Sequence, residues 1–153
     1  MAKKIIAIGA DHGGFSLKEK VKKVLEKEGY AVRDVGTHSE ASCDYPEFGF
    51  AAAENISREK AFRGIVICTT GIGMAIAANK LPGVRAGVCN SEEDALSARE
   101  HNDINVLVLA ARKVTGAKAA KIIKTWLKTK ALKGRHARRV KQIKNFEKKS
   151  LKM

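Results

Sequence analysis

The sequence predicts an α/β fold: an open, five-stranded, mostly parallel sheet with helices on both faces, hence three layers α/β/α, and one extra C-terminal helix. Three observations point to it. Short apolar runs alternate with amphipathic helical stretches over residues 1–110. The run Gly64–Cys68 (GIVIC) is apolar without alternation, as a strand covered on both faces must be. Glycines and polar residues gather after the apolar runs, the edge of such a sheet where ligands bind.

The elements follow in order. Lys4–Gly9 (KIIAIG) reads as the first strand, with Gly13-Gly14 in the loop beyond it. Leu17, Val21, Val24 and Leu25 recur at helical spacing, and Gly29 stands where a helix C-cap belongs. Tyr30–Val35 is the second strand. Asp44 and Pro46 mark a helix start before Phe48, Ala52 and Ile56. After Gly64–Cys68 and its TTGIG turn, Met74–Lys80 is helical in character. Val84–Cys89 is the fourth strand, and Ser91 with Asp94 makes a capping box for a helix through Arg99. Asn105–Leu109 is the fifth strand. Ala119, Ile122, Ile123, Trp126 and Leu127 outline the next helix, and Val140, Ile143 and Phe146 give the last one a thin apolar stripe. Residues 1–132 form the expected domain, with 133–153 a basic helix and tail belonging to it and to a dimer interface; Lys133-Gly134 is the expected hinge.

A chain of 153 residues with 44% hydrophobic content is enough for one buried core. The N-terminal apolar run is broken by Asp11 and His12, too short and too polar for a signal peptide or membrane span. A cytoplasmic protein with no membrane association is therefore expected, and its three cysteines (Cys43, Cys68, Cys89) are expected to be reduced thiols. Their odd number and the lack of CxxC argue against disulfides and zinc. Residues 1–112 carry fifteen basic and fifteen acidic side chains, while 113–153 carry fifteen basic ones and Glu147 alone. The net charge of +14 thus belongs to the C-terminal segment.

Chemistry is sought at the strand ends. The C-T-T-G-I-G turn is neither a dinucleotide fingerprint nor a P-loop. Glycines between a buried strand and a helix can still turn backbone N–H groups toward an anion, either a phosphate or an enediolate. On the residues alone, Cys68 is either a small apolar end to a buried strand or a base beside that turn. A free thiol has a pKa of about 8.5, and a helix N-terminus can lower it. His12, after Asp11, is either a polar loop residue or a partner for sugar hydroxyls. His101 precedes the fifth strand, near the sheet edge opposite Cys68, so a shared reaction would draw the two from different subunits. His136, among Arg135, Arg138 and Arg139, fits a phosphate site or a solvated helix face equally. His38 reads as a loop residue, and Cys43 and Cys89 as structural.

Together these residues resemble the type B ribose-5-phosphate isomerases and their galactose-6-phosphate isomerase relatives. The resemblance rests on GADHGGFSLKE at 9–19, VGTHSEASCDYPEF at 35–48, GIVICTTGIGMAIAANK at 64–80, GVRAGVC at 83–89, SAREHNDINVLVLAARKV at 97–114 and GRHARRV at 134–140. It implies a Rossmann-like sandwich, a homodimer or dimer of dimers with active sites between subunits, and aldose–ketose isomerisation without metal or cofactor. It further implies that Cys68 is the proton acceptor, that His101 opens the furanose ring, and that Thr70 shares the catalytic work. Thr69, Gly71, Ile72 and Gly73 complete the turn around the enediolate. Asp11, His12 and Asn102 would bind substrate, and Arg112, Arg135 and Arg139 the substrate or its phosphate. One branch of the family carries a glutamate after the turn; Met74 stands here, which places the chain in the cysteine branch. Thr69 departs from an expected glycine.

The implied reaction interconverts D-ribose 5-phosphate and D-ribulose 5-phosphate. A six-carbon sugar phosphate, allose or galactose 6-phosphate, is the alternative substrate. A nucleic-acid-binding relative using the basic segment is disfavoured, because the segment lacks interleaved aromatics apart from Trp126 and Phe146.

Overall fold

The computed structural model describes residues 1–153. Five strands, β1 (Ile5–Ala10), β2 (Ala31–Asp34), β3 (Arg63–Cys68), β4 (Ala86–Val88) and β5 (Val106–Ala110), alternate with α1 (Phe15–Lys27), α2 (Tyr45–Ser57), α3 (Ile72–Ala78), α4 (Glu92–Asn102), α5 (Gly116–Lys128) and α6 (Arg135–Ser150). All strand pairs are parallel, in the order β2-β1-β3-β5-β4. The expected sandwich is observed, with a fully rather than mostly parallel sheet.

The order explains the layers. The chain runs outward from β1 to β2 and returns across β1 to β3, and a right-handed crossover in each direction puts α1 and α2 on opposite faces. Ile6, Ile8, Ile65, Ile67, Leu107 and Leu109 pack with Val21 and Leu25 of α1 and Ile122, Ile123 and Trp126 of α5. On the other face Val66, Cys68, Val106 and Val108 meet Ala52 and Ala53 of α2 and Met74 and Ala78 of α3. The small residues of α2 allow close approach: a Cβ on Gly49 would sit 3.0 Å from the Met74 sulfur.

Several boundaries move from the sequence expectation. Helix α3 starts two residues earlier, so Ile72 and Gly73 belong to its first turn. Helix α4 continues past Arg99 to Asn102 and carries His101. At its start Ser91 Oγ accepts from the Asp94 amide at 3.0 Å, but the Asp94 carboxylate accepts from Asn90 rather than from Ser91. Of the stripe expected on α6 only Val140 is buried; Ile143 and Phe146 are exposed. The helix lies across the amino-terminal edge of the sheet, packed on α4 and tied by the Gly83 amide donating to Glu147 at 3.0 Å. No helix is long and apolar enough to cross a membrane.

One charged cluster fixes the carboxyl edge. Lys18 of α1 is fully buried, its Nζ 2.6 Å from both oxygens of Asp34 at the end of β2. Lys22 Nζ adds a bond at 2.8 Å and the Gly36 amide another at 2.9 Å. Burial alone would raise the Asp34 pKa, but the bonds from Lys18, Lys22 and Gly36 outweigh it and hold it at about 2. That folded value lies below the ordinary 3.8, so the stabilisation is present above pH 3.8 and is lost as pH falls toward 2. Asp34→Asn leaves the buried Lys18 ammonium without its anion and is expected to cost about 2–4 kcal/mol in urea unfolding at pH 7. The gap between wild type and variant should close between pH 4 and pH 2; a constant gap across that range would refute the ion pair as its cause.

Candidate active site

In a sheet of this order the crevice for a ligand opens where the crossovers reverse, between the carboxyl ends of β1 and β3. Two loops meet there. The Asp11–Gly14 loop leaves β1 and lies directly on β3. A Cβ on Gly14 would come within 2.6 Å of the Ile67 carbonyl oxygen, and one on Gly13 within 2.3 Å of Thr69 Oγ1. Glycine is required at both by close approach. Asp11 is buried, and its Oδ1 accepts from the Gly14 amide at 3.0 Å. The loop after β2 is drawn in by the Thr37 amide, which donates to the Ala10 carbonyl at 2.7 Å.

Cys68 ends β3 with 5% of its surface exposed, and its sulfur accepts from the Gly71 amide at 3.2 Å. Gly71 makes that bond from a left-handed conformation (φ 78°) open to glycine at little cost. The Ile72 amide donates to Thr70 Oγ1 at 3.3 Å, which leaves the Thr70 hydroxyl proton free to donate. The next amides, of Gly73 and Met74, donate to no acceptor in the protein. The turn is strapped to β5 by the Ala111 amide on the Cys68 carbonyl (2.9 Å) and the Arg112 amide on the Thr69 carbonyl (3.1 Å). The exposed Arg112 side chain therefore stands at the same rim.

Two further neighbours stand here. The Cys43 amide donates to His12 Nδ1 at 3.2 Å, and the Cys43 sulfur is 3.8 Å from the same nitrogen. An imidazole accepting at Nδ1 carries its proton on Nε2, so His12 presents a donor at its outer edge. Cys43, read from sequence as structural, thus belongs to the rim. Tyr45 lies over Gly73, where a Cβ would fall 2.5 Å from the ring. The only sequence signal for it was its place after the second strand. Cys89 does match its structural reading: it is fully buried, and burial, with Asp94 nearby, pushes its thiol up to about 12.

Asp11, His12, Cys68, Thr69, Thr70, Gly71, Ile72, Gly73 and Arg112 are thus brought together by one chain. His101, Asn102, Arg135 and Arg139 are not. His101 and Asn102 end α4, and Arg135 and Arg139 begin α6, at the amino edge. Cys68 pairs with Ala110, four residues beyond the start of β5, so roughly 13 Å of strand separates the two edges at 3.3 Å per residue. At the amino edge the His101 and His136 rings stack with centroids 4.3 Å apart and 9° between planes. Desolvation, then His101, Arg135 and Arg139, holds His136 below its ordinary pKa.

Comparison with known proteins identifies the family. The family described as Ribose/Galactose Isomerase matches residues 6–143. The chain belongs to this family. It is similar to ribose-5-phosphate isomerase B of Escherichia coli K12, with 42% identity covering 94% of this chain and 97% of the relative. The structure of Clostridium thermocellum ribose-5-phosphate isomerase B superposes with a TM-score of 0.92 at 50% identity, covering 95% of this chain and 99% of that one. That of the Mycoplasma genitalium enzyme, with bound ribulose-5-phosphate, gives 0.90 at 39% identity, covering 94% and 96%. The chain is an isomerase of the type B ribose-5-phosphate isomerase group.

The Gly13–Thr69 contact makes a specific demand on this isomerase. Gly13→Ala should lose about 1–3 kcal/mol through overpacking. Thr69→Gly in the same chain should return most of it, because it removes the oxygen that the new methyl meets. A double-mutant cycle by thermal unfolding measures this, and strictly additive losses would contradict the contact.

Proposed function

We propose that this protein interconverts D-ribose 5-phosphate and D-ribulose 5-phosphate through an enediolate, with Cys68 as the base. The observation that carries the reading is the Cys68 sulfur at the reversal of the crossovers, facing the Gly71 amide at 3.2 Å. The sulfur accepts that hydrogen bond and stands beside further amides that can receive developing negative charge.

The proposed chemistry balances without a cofactor. His101 transfers the proton that opens the furanose and frees the C1 aldehyde. The Cys68 thiolate takes the C2 proton; the C2–H electron pair forms the C1–C2 double bond, and the carbonyl oxygen takes up the charge. The free amides of Gly73 and Met74, with the Thr70 hydroxyl, face that charge, and Thr70 passes the hydroxyl proton from O2 to O1. The thiol then returns its proton to C1, leaving the ketone at C2. Asp11, His12 and Asn102 bind the sugar, and Arg112, Arg135 and Arg139 hold the phosphate. Arginine suits the phosphate because its planar fork donates two parallel hydrogen bonds.

Two sets of residues at opposite ends of one sheet can serve one substrate only between subunits. The proposed active unit is therefore a homodimer in which each site takes Cys68 from one chain and His101 from the other.

Cys68→Ala should lower kcat at least 1000-fold with little change in substrate binding, as expected when a group acts only in the chemical step. Normal turnover in that variant would remove the cysteine base. Mixing Cys68→Ala with His101→Ala chains should restore about a quarter of wild-type activity, since half the dimers are mixed and each has one intact site. No recovery after subunit exchange would place both residues in one chain's site. Running allose 6-phosphate beside ribose 5-phosphate distinguishes the six-carbon substrate from the pentose.

A further inference from the structure

We propose that His136 is a positioning residue for His101, holding its imidazole in the plane needed to open the sugar ring. This rests on the reading of His101 as the ring-opening residue. The two rings are nearly coplanar in direction, 9° apart, and face each other at 4.3 Å. They border a cavity of about 270 Å³ between the end of α4 and the start of α6.

Both rings stand on fixed backbone. The end of α4 is held by the buried Arg99, whose guanidinium reaches Asp103 Oδ1 at 2.7 Å, the Ile104 carbonyl at 2.7 Å and the Thr129 carbonyl at 3.1 Å. The start of α6 is held by the Leu132 amide on the Glu100 carbonyl at 3.0 Å and by the buried Val140. The stack is therefore a product of how α6 docks on α4.

The His101 side chain is exposed, and its imidazole makes no hydrogen bond within the chain. An exposed imidazole otherwise turns freely about two side-chain bonds, and its ring nitrogens sweep through many directions. Contact through the ring face removes that freedom while leaving both nitrogens, which lie on the ring edge, open to the substrate. A hydrogen bond would fix the ring equally well but would occupy a nitrogen that the reaction needs. Since misplacing a catalytic group by an ångström can cost two orders of magnitude, fixing the plane has a direct effect on rate.

The test separates ring opening from enolisation. Ribulose 5-phosphate has its 5-oxygen esterified and forms no furanose, so deuterium exchange from solvent into its C1 needs Cys68 but no ring opening. Wild type, His101→Ala, His136→Ala and His136→Phe are compared for ribose 5-phosphate turnover and for this exchange. His136→Ala is expected to lower kcat for ribose 5-phosphate about tenfold with KM little changed, and to leave exchange intact. His136→Phe, which keeps a stacking face but no titrating nitrogen, is expected to restore turnover. Equal loss in both assays, or a raised KM in both, would make His136 a phosphate ligand and overturn the proposal. So would wild-type turnover in His136→Ala, or failure of phenylalanine to rescue it. Normal ribose 5-phosphate turnover in His101→Ala would instead remove the reading of His101 on which the proposal stands.

Discussion

The constraint on which the rest depends is the hand of the two crossovers that meet at β1. Each is right-handed, and the chain reverses direction between them, so α1 and α2 are forced to opposite faces and their loops diverge. The gap that results has two glycines on its β1 side and a left-handed glycine on its β3 side. At that gap the Asp11 loop settles against the Ile67 carbonyl and the Thr69 side chain, and Cys68 ends β3 beside it. The chemistry is local, but its placement is topological. A sheet with the same strands in consecutive order would not open here.

The amino edge is built by different means. Two arginines are buried there, and each holds down the carbonyl end of a helix: Arg63 donates to Trp126 at 2.6 Å and Arg99 to Thr129 at 3.1 Å, both at the end of α5. Burial, then the charge of Arg99, lowers the Arg63 pKa to about 10, which still leaves it a cation at neutral pH. Cations suit this position because the carbonyl ends of α4 and α5 converge on it. The result is a rigid floor for α6. Its exposed basic residues include Arg135 and Arg139, so part of the charge that sets the C-terminal segment apart in sequence lies at the start of this helix, on the amino edge.

Much of this could be read from the chain, and what could not has a physical reason. Strand β3 was legible because a strand covered on both faces cannot alternate. Helix α5 was legible because its buried residues fall on one stripe. The start of α3 was missed because Ile72, though helical, is exposed and reads like part of the turn before it. Lys18 was illegible for the opposite reason: in FSLKEKVKK a lysine looks solvated, and only the fold reveals Asp34, sixteen residues away, as its partner. The same holds at the site. Cys68 and its turn announce themselves locally, whereas Tyr45 over Gly73 and the Cys43 amide on His12 are contacts between distant segments that no spacing encodes. The separation of His101 from Cys68 was foreseeable from the direction of the strands alone.

The order of the strands also bears on synthesis. Strand β4 precedes β5 in the chain, yet it lies outside β5 and pairs with nothing else. As the polypeptide leaves the ribosome, β2, β1 and β3 can assemble first, with the outer edge of β3 open. Residues 86–88 then emerge with no strand to join and must wait until residues 106–110 have docked against β3. Cys68 sits on that open edge, and its carbonyl gains the Ala111 amide only when β5 arrives. The nascent chain therefore makes roughly forty more residues, on the order of seconds at ordinary rates of synthesis, before that edge of β3 is paired. The strand order that opens the β1–β3 crevice thus lets its two walls pair early, while the outer half of the sheet is completed last.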